Sequence, residues 1–311
     1  VEVDGRSYSK LQDAINVARK SDTVTLLDNV NERVTVKSEV ILKLNGKTVQ
    51  GDGYDATITV GSGGKLTVDG TGSTIQATGN SSIFSVEDGG ELRLSGGKYL
   101  SNNEAAVVDS RGGTVVVEKG TVVSGKDNSI FGSRGSDLTI EGEVSSSGTN
   151  VDNSTVEVRD SELTVGKSGF IEAAGNAVGI KIVENDSIVN VYGSVQTQYD
   201  GIKFDAATNY SSYSYGYNNT LNVYPGAKII SADSQAISLE SKINGIDREN
   251  LNKVNITGGT ITGKNGIVVS NGILNISGSD TKITGNGNSI KGDGYSESSG
   301  AGIMIRKSIS N

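Results

Sequence analysis

Histidine, cysteine and tryptophan are missing from this chain of 311 residues, which has one proline, one methionine and four phenylalanines. Without histidine there is no imidazole base and no Ser-His-Asp triad. Without cysteine there is no thiolate nucleophile, disulfide or Cys₂His₂ zinc site. A bound metal would have to be a hard, oxygen-liganded ion such as Ca²⁺, and we expect no metal and no cofactor. No apolar run is long enough to span a bilayer, and Val1-Glu-Val-Asp4 has no basic and apolar leader pattern. We therefore expect no membrane insertion of this chain, with any export signal or anchor outside it. Positive charge is also short: 28 Lys+Arg against 36 Asp+Glu leave a net −8, which disfavours nucleic acid and anionic membranes as partners. Apolar residues make up 34%, thin for a wide globular core but sufficient for a long, narrow one.

Glycine is abundant, at 43 residues, and it recurs in a pattern. Two apolar residues flank an outward one, and a glycine-containing turn follows. Leu42-Lys-Leu44-Asn-Gly is succeeded by Leu66-Thr-Val68-Asp-Gly, Leu92-Arg-Leu94-Ser-Gly, Val115-Val-Val117, Leu138-Thr-Ile140-Glu-Gly and Leu163-Thr-Val165. Then come Val189-Asn-Val191-Tyr-Gly, Leu221-Asn-Val223, Val254-Asn-Ile256-Thr-Gly and Leu274-Asn-Ile276-Ser-Gly. The leading positions are 24, 26, 23, 23, 25, 26, 32, 33 and 20 residues apart, a regular unit with two enlarged members. A second period-2 motif falls between them, as in Ile58-Thr-Val60, Val178-Gly-Ile180-Lys-Ile182, Ile202-Lys-Phe204, Ile237-Ser-Leu239, Ile267-Val-Val269 and Ile303-Met-Ile305.

Strands this short cannot bury a face alone. Stacked on their counterparts one unit away, at roughly 4.8 Å, they pair and form continuous aliphatic columns. The reading is an all-β fold, a right-handed parallel β-helix of about ten coils with an N-terminal capping α-helix. The sharp turns explain the glycines, and the need for ladder donors explains the scarcity of proline. The cap is read from Ser7 to Lys20, where Tyr8, Leu11, Ala14, Ile15 and Ala18 follow helical spacing with Ser7 or Ser9 as N-cap. Residues 1–27 hold the cap and the first strand, and 28–311 form one continuous β-helix, expected to be part of a longer protein.

Tyr8-Ser-Lys-Leu-Gln-Asp-Ala-Ile15, Asp22-Thr-Val-Thr-Leu-Leu27, Leu44-Asn-Gly-Lys-Thr-Val49 and Gly258-Gly-Thr-Ile261 resemble pectate-lyase-like right-handed β-helix regions of bacterial cell-surface proteins. The resemblance implies an extracellular, cell-surface or secreted setting. It implies architecture more than activity, since that fold carries lyases, hydrolases, esterases and non-catalytic adhesins. A lyase-like set can be assembled from Asp186, Asp200 and Asp205 with Lys203 as base and Lys181 stacked beside it. Against it stands the ordinary reading of Asp200 as a turn cap and the lysines as solvated edge charges. Gly51-Asp-Gly-Tyr-Asp55 and Gly292-Asp-Gly-Tyr295 read as turns, because the spacing and terminal Glu of a calcium loop are missing.

Two surface features suit binding. Four residues before successive leaders stand Ser62, Asp88, Arg111, Arg134, Arg159, Asn185 and Tyr217. Three arginines in succession predict a ladder along one edge, suited to carboxylates or sulfates of an acidic glycan or, diluted by Asp88, Asp109, Asp137 and Asp160, a merely solubilising one. The enlarged unit before Leu221 packs Tyr210, Tyr213, Tyr215 and Tyr217 among Ser, Asn and Gly, the composition of a paratope. The second enlargement, Lys242 to Lys253, carries no such signature. Together these point to a non-enzymatic surface adhesin, or a glycan- or host-protein-binding scaffold, whose partner is a host or dietary glycan or a host surface protein. The alternatives are a Ca²⁺-dependent lyase of uronate polysaccharides and a passive spacer.

Overall fold

The computed structural model describes residues 1–51, 54–77, 79–205, 207–209, 212–214, 216–239, 250–287 and 300–306, with 207–209 and 212–214 as backbone alone. Its repeats wind as an all-β parallel solenoid of about ten coils. From Lys65 on, each coil gives one strand to each of three sheets, of thirteen, nine and eleven strands, visited in that order, while the middle strands of the first two coils, Val30–Asn31 and Val49–Gln50, pair in a sheet of their own. Pairing from coil to coil is parallel and in register, so an outward residue meets its equivalent directly above and below. The leaders Leu66, Leu92, Val115, Leu138, Leu163, Val189, Leu221, Val254 and Leu274 are all register partners in the thirteen-stranded sheet. The first unit differs: Leu66 pairs with Val40, and Leu42 pairs with Val68. Val40, Leu42 and Leu44 are all apolar, and a shift of two residues keeps the same face inward, so periodicity does not separate these registers.

The leaders from Leu66 to Val254 are at most 1% exposed, forming one column of a core that runs from Val3 to Val269. Toward the last described strands the core opens, with Ile276, Ile303 and Ile305 exposed.

A second column, polar and buried, runs along the edge where each chain turn passes from the eleven-stranded to the thirteen-stranded sheet. Two residues before each leader it reads Gly64, Gly90, Gly113, Ser136, Ser161, Ser187, Asn219 and Asn252. Glycine is required at its start, since a Cβ on Gly64 would lie 2.3 Å from the Val36 carbonyl oxygen. Further on, side chains cap the backbone of the coil before: Ser136 Oγ accepts from Gly112 N–H at 3.0 Å, and Ser161 Oγ from Ser136 N–H at 3.1 Å. Asn219 Oδ1 accepts from Ser187 N–H at 2.8 Å, and Asn252 Oδ1 from Asn219 N–H at 3.0 Å. The buried amides of Ser136, Ser187 and Asn219 are thereby satisfied, and that of Gly112, which also donates to the Ser133 carbonyl at 2.9 Å, gains a second acceptor.

The cap is shorter than its apolar spacing predicts. The helix spans Leu11–Val17, and Ser7 belongs to the strand Arg6–Ser7, paired antiparallel with Glu2–Val3. Neither Ser7 nor Ser9 caps it. Glu32, from the next coil, accepts from the N–H groups of Leu11 at 2.8 Å and Gln12 at 3.3 Å, so a long-range carboxylate replaces the local hydroxyl. Leu11, Ala14 and Ile15 are buried against the first coil.

Candidate functional site

Outward residues of the eleven-stranded sheet fall into rows along the solenoid axis. The middle row reads Thr35, Thr59, Ser85, Asp109, Phe131, Glu157, Lys181 and Lys203. Two residues later in each strand, beside the buried polar column, a second row carries Arg111, Ser133, Arg159, Val183 and Asp205. Arg111 and Arg159 therefore share a row with Ser133 between them. Arg134 does not stand in it. The turn after Ser133 has three residues before the next strand, where its neighbours have two, so counting back from the leader places Arg134 one step too early. It sits in the turn at φ 58°, beside Asp160 at φ 43° on the next coil. All three arginines lie on one edge, but as an interrupted ladder.

Their charges are differently committed. Arg111 donates to Asp109 in its own strand at 2.8 Å, which raises the guanidinium pKa further. Arg159 joins Glu157 at 2.5 Å and Glu184 at 3.2 Å, and its guanidinium lies 5.3 Å above the Phe131 ring. Glu157 is only 5% exposed, a burial that a carboxylate tolerates because Arg159 supplies a charge-assisted partner. Arg134 is exposed and joins no ion pair among the described residues. Of the acids expected to dilute the row, Asp109 pairs with an arginine. Asp88, Asp137 and Asp160 form no ion pair among the described residues.

Of the tyrosine cluster, Tyr210 and Tyr215 lie outside the described residues. Tyr213 falls in the short strand Ser212–Ser214, paired antiparallel with Ala207–Asn209, so the backbone of this enlarged unit doubles back on itself. Tyr217 is half-buried; its N–H donates to Asn185 Oδ1 at 3.1 Å, and its carbonyl accepts from Asp186 N–H at 3.2 Å. That fixes Tyr217 directly beyond Asn185 and two coils beyond Arg159. Both enlarged units, 206–219 and 240–252, connect the eleven-stranded sheet to the thirteen-stranded one, so the strands that flank them meet at the arginine edge. Of the second, 240–249 lie outside the described residues.

The lyase-like set is only partly brought together. Lys181 and Lys203 are register partners and share one carboxylate, Asp205, at 3.5 and 3.4 Å. Asp200 precedes the strand that Asp205 ends, on the order of 15 Å away along extended chain. It is buried on the far edge, where Ser234 donates to it at 2.5 Å. Asp186, at φ 59°, accepts from Asn218 Nδ2 at 2.7 Å on the thirteen-stranded side. Among the described residues no three carboxylates converge as metal ligands. Asp55 pairs with Arg33 at 2.6 Å, while Asp52, Gly53 and the stretch 292–295 lie outside the described residues.

Sequence inspection did not single out Phe131, Glu157 and Glu184, which complete the Arg159 cluster. Their signal lies in the alignment of the eleven-stranded sheet, and aligning coils on the leaders of another sheet puts the intervening turns out of step. No protein-family model matches the chain, and no curated protein matches it either.

Proposed function

We propose that this solenoid is a non-enzymatic binding scaffold of the pectate-lyase-like, right-handed kind, displayed on a bacterial surface as an adhesin. Parallel crossovers favour that hand. Its partner is a host or dietary glycan or a host surface protein, taken at the edge between the eleven- and thirteen-stranded sheets. One observation carries the reading: both enlarged units join the two sheets across the edge that also bears Arg111, Arg134 and Arg159. Of the three connections longer than ten residues, two fall at this edge, and the third, 286–302, joins the nine- to the eleven-stranded sheet; chain length spent repeatedly at one edge is how a rigid scaffold carries recognition loops. Of the three edge arginines, Arg134 is the one that joins no ion pair among the described residues, and so the one suited to a carboxylate or sulfate.

A glycan and host-protein array probed with the intact chain tests this. Tyr213→Ser combined with Tyr215→Ser is expected to abolish retention, and Arg134→Ala to weaken it toward acidic ligands, with thermal stability nearly unchanged. Retention untouched by either change refutes the edge as the site. Failure to bind anything on the array or on host cells favours a passive spacer instead.

A further inference from the structure

At the first coils, the outer face of the eleven-stranded sheet forms a groove whose charged row ends one coil short of Arg111. Strands Val34–Val36, Ile58–Val60 and Phe84–Val86 stack in register and turn Thr35, Thr59 and Ser85 outward. These hydroxyls floor an open cavity of about 640 Å³, with Arg33 and Asp55 on one side and Lys37 and Glu87 on the other. A second cavity of about 370 Å³ shares Thr35 and Lys37 and reaches Gln12 and Asn16 of the cap helix.

The two sides differ in charge commitment. Arg33 and Asp55 neutralise each other at 2.6 Å. Lys37 and Glu87 belong to no ion pair among the described residues. Lys37, Gly61 and Glu87 occupy successive coils of one row, so their backbones are two strand spacings, roughly 10 Å, apart. Gly61 leaves the gap open: a Cβ there would stand 3.4 Å from Glu87 Oε2 and 3.6 Å from Lys37 Cγ, ordinary contacts that a side chain could fill. Arg111 comes next in the row but is turned to Asp109 at 2.8 Å. The groove thus offers a cation and an anion over a strip of hydroxyls that both donate and accept.

We propose that this groove is a second binding site, for a saccharide carrying an ammonium and a carboxylate on adjacent sugars. The carboxylate faces Lys37, the ammonium faces Glu87, and sugar hydroxyls meet Thr35, Thr59 and Ser85. A polyanion would be repelled by Glu87 and a polycation by Lys37, while a neutral glycan would desolvate both charges unpaired. A peptide added as a further strand has no free edge to use at Thr35, whose N–H and carbonyl are both taken by Gln12. The site does not depend on the edge reading above.

The probe is a glucuronyl-glucosamine disaccharide with a free amine, titrated by NMR against the intact chain, with its N-acetylated and methyl-ester forms alongside. The free-amine form is expected to shift the amides of Thr35, Thr59 and Ser85, and each blocked form to bind at least about tenfold more weakly. Lys37→Met and Glu87→Gln should each cause a comparable loss, and Gly61→Thr should close the gap at unchanged thermal stability. Tyr213 and Arg134 variants should bind the probe as the parent does. Equal binding of the blocked forms, full binding by the Lys37 or Glu87 variants, or no shift at millimolar probe overturns the proposal.

Discussion

The carboxamide of Gln12 stands in for a missing neighbouring strand at Thr35. Its Oε1 accepts from Thr35 N–H at 2.7 Å and its Nε2 donates to Thr35 O at 2.9 Å. The strand Val34–Val36 is the outermost of the eleven-stranded sheet, so without Gln12 both groups would be open to another chain. Gln12→Leu keeps the helix but removes both bonds. It is expected to lower stability by about 1–3 kcal/mol and to speed hydrogen exchange at the Thr35 amide. Unchanged exchange there would show that the edge is closed by something else.

Tyr99 is fully buried, edge-on to Phe84 at 5.4 Å, and its hydroxyl has no hydrogen-bond partner among the described residues. Tyr99→Phe removes an unsatisfied group without changing shape, and should stabilise the protein by about 1 kcal/mol. Burial, with a smaller push from Asp69, drives the phenol pKa far above the ordinary tyrosine range. A raised folded pKa means that the unfolded chain ionises first, so stability held below about pH 10 falls as pH rises beyond it. The Phe variant should lose that component of alkaline sensitivity in denaturant titrations at pH 9 to 11.

The buried polar column predicts opposite tolerances at equivalent positions. A Cβ on Gly90 would lie 2.7 Å from the Val60 carbonyl oxygen, so Gly90→Ala forces backbone movement and should destabilise by about 1–3 kcal/mol or more. Asn219→Ala shortens a side chain that Ser187 N–H, Glu184 O and Asn252 all use. Each buried group left unpaired costs about 1–3 kcal/mol. Chemical denaturation of both variants checks this, and a neutral result at either would contradict the column.

The scattering of Asp186, Asp200 and Asp205 predicts the outcome of a direct assay. Incubation with polygalacturonate or alginate and Ca²⁺ should produce no rise in absorbance from unsaturated uronate ends. A rise that Lys203→Met abolishes would restore the lyase reading.

Much of the architecture is legible in the sequence because a solenoid converts sequence period into contact. Nine successive leaders, Leu66 to Leu274, are register partners as their spacing predicts. Legibility fails where periodicity carries no information. Val40 and Leu42 are interchangeable to a period-2 pattern, and the extra turn residue after Ser133 displaces Arg134 from the row of Arg111. The helix start is set by Glu32, distant in sequence. The Arg159 cluster is visible only after coils are aligned on the eleven-stranded sheet.

The account depends most on in-register stacking, which brings distant residues to one face. A chain without cysteine allows a direct measurement: Thr35→Cys and Lys203→Cys, spin-labelled, with the distance read by double electron–electron resonance. Seven parallel pairings separate the two residues, which predicts a single narrow distribution near 34 Å at roughly 4.8 Å per coil. A distance far shorter, or a broad distribution, would contradict the stacked coils and the edge built on them.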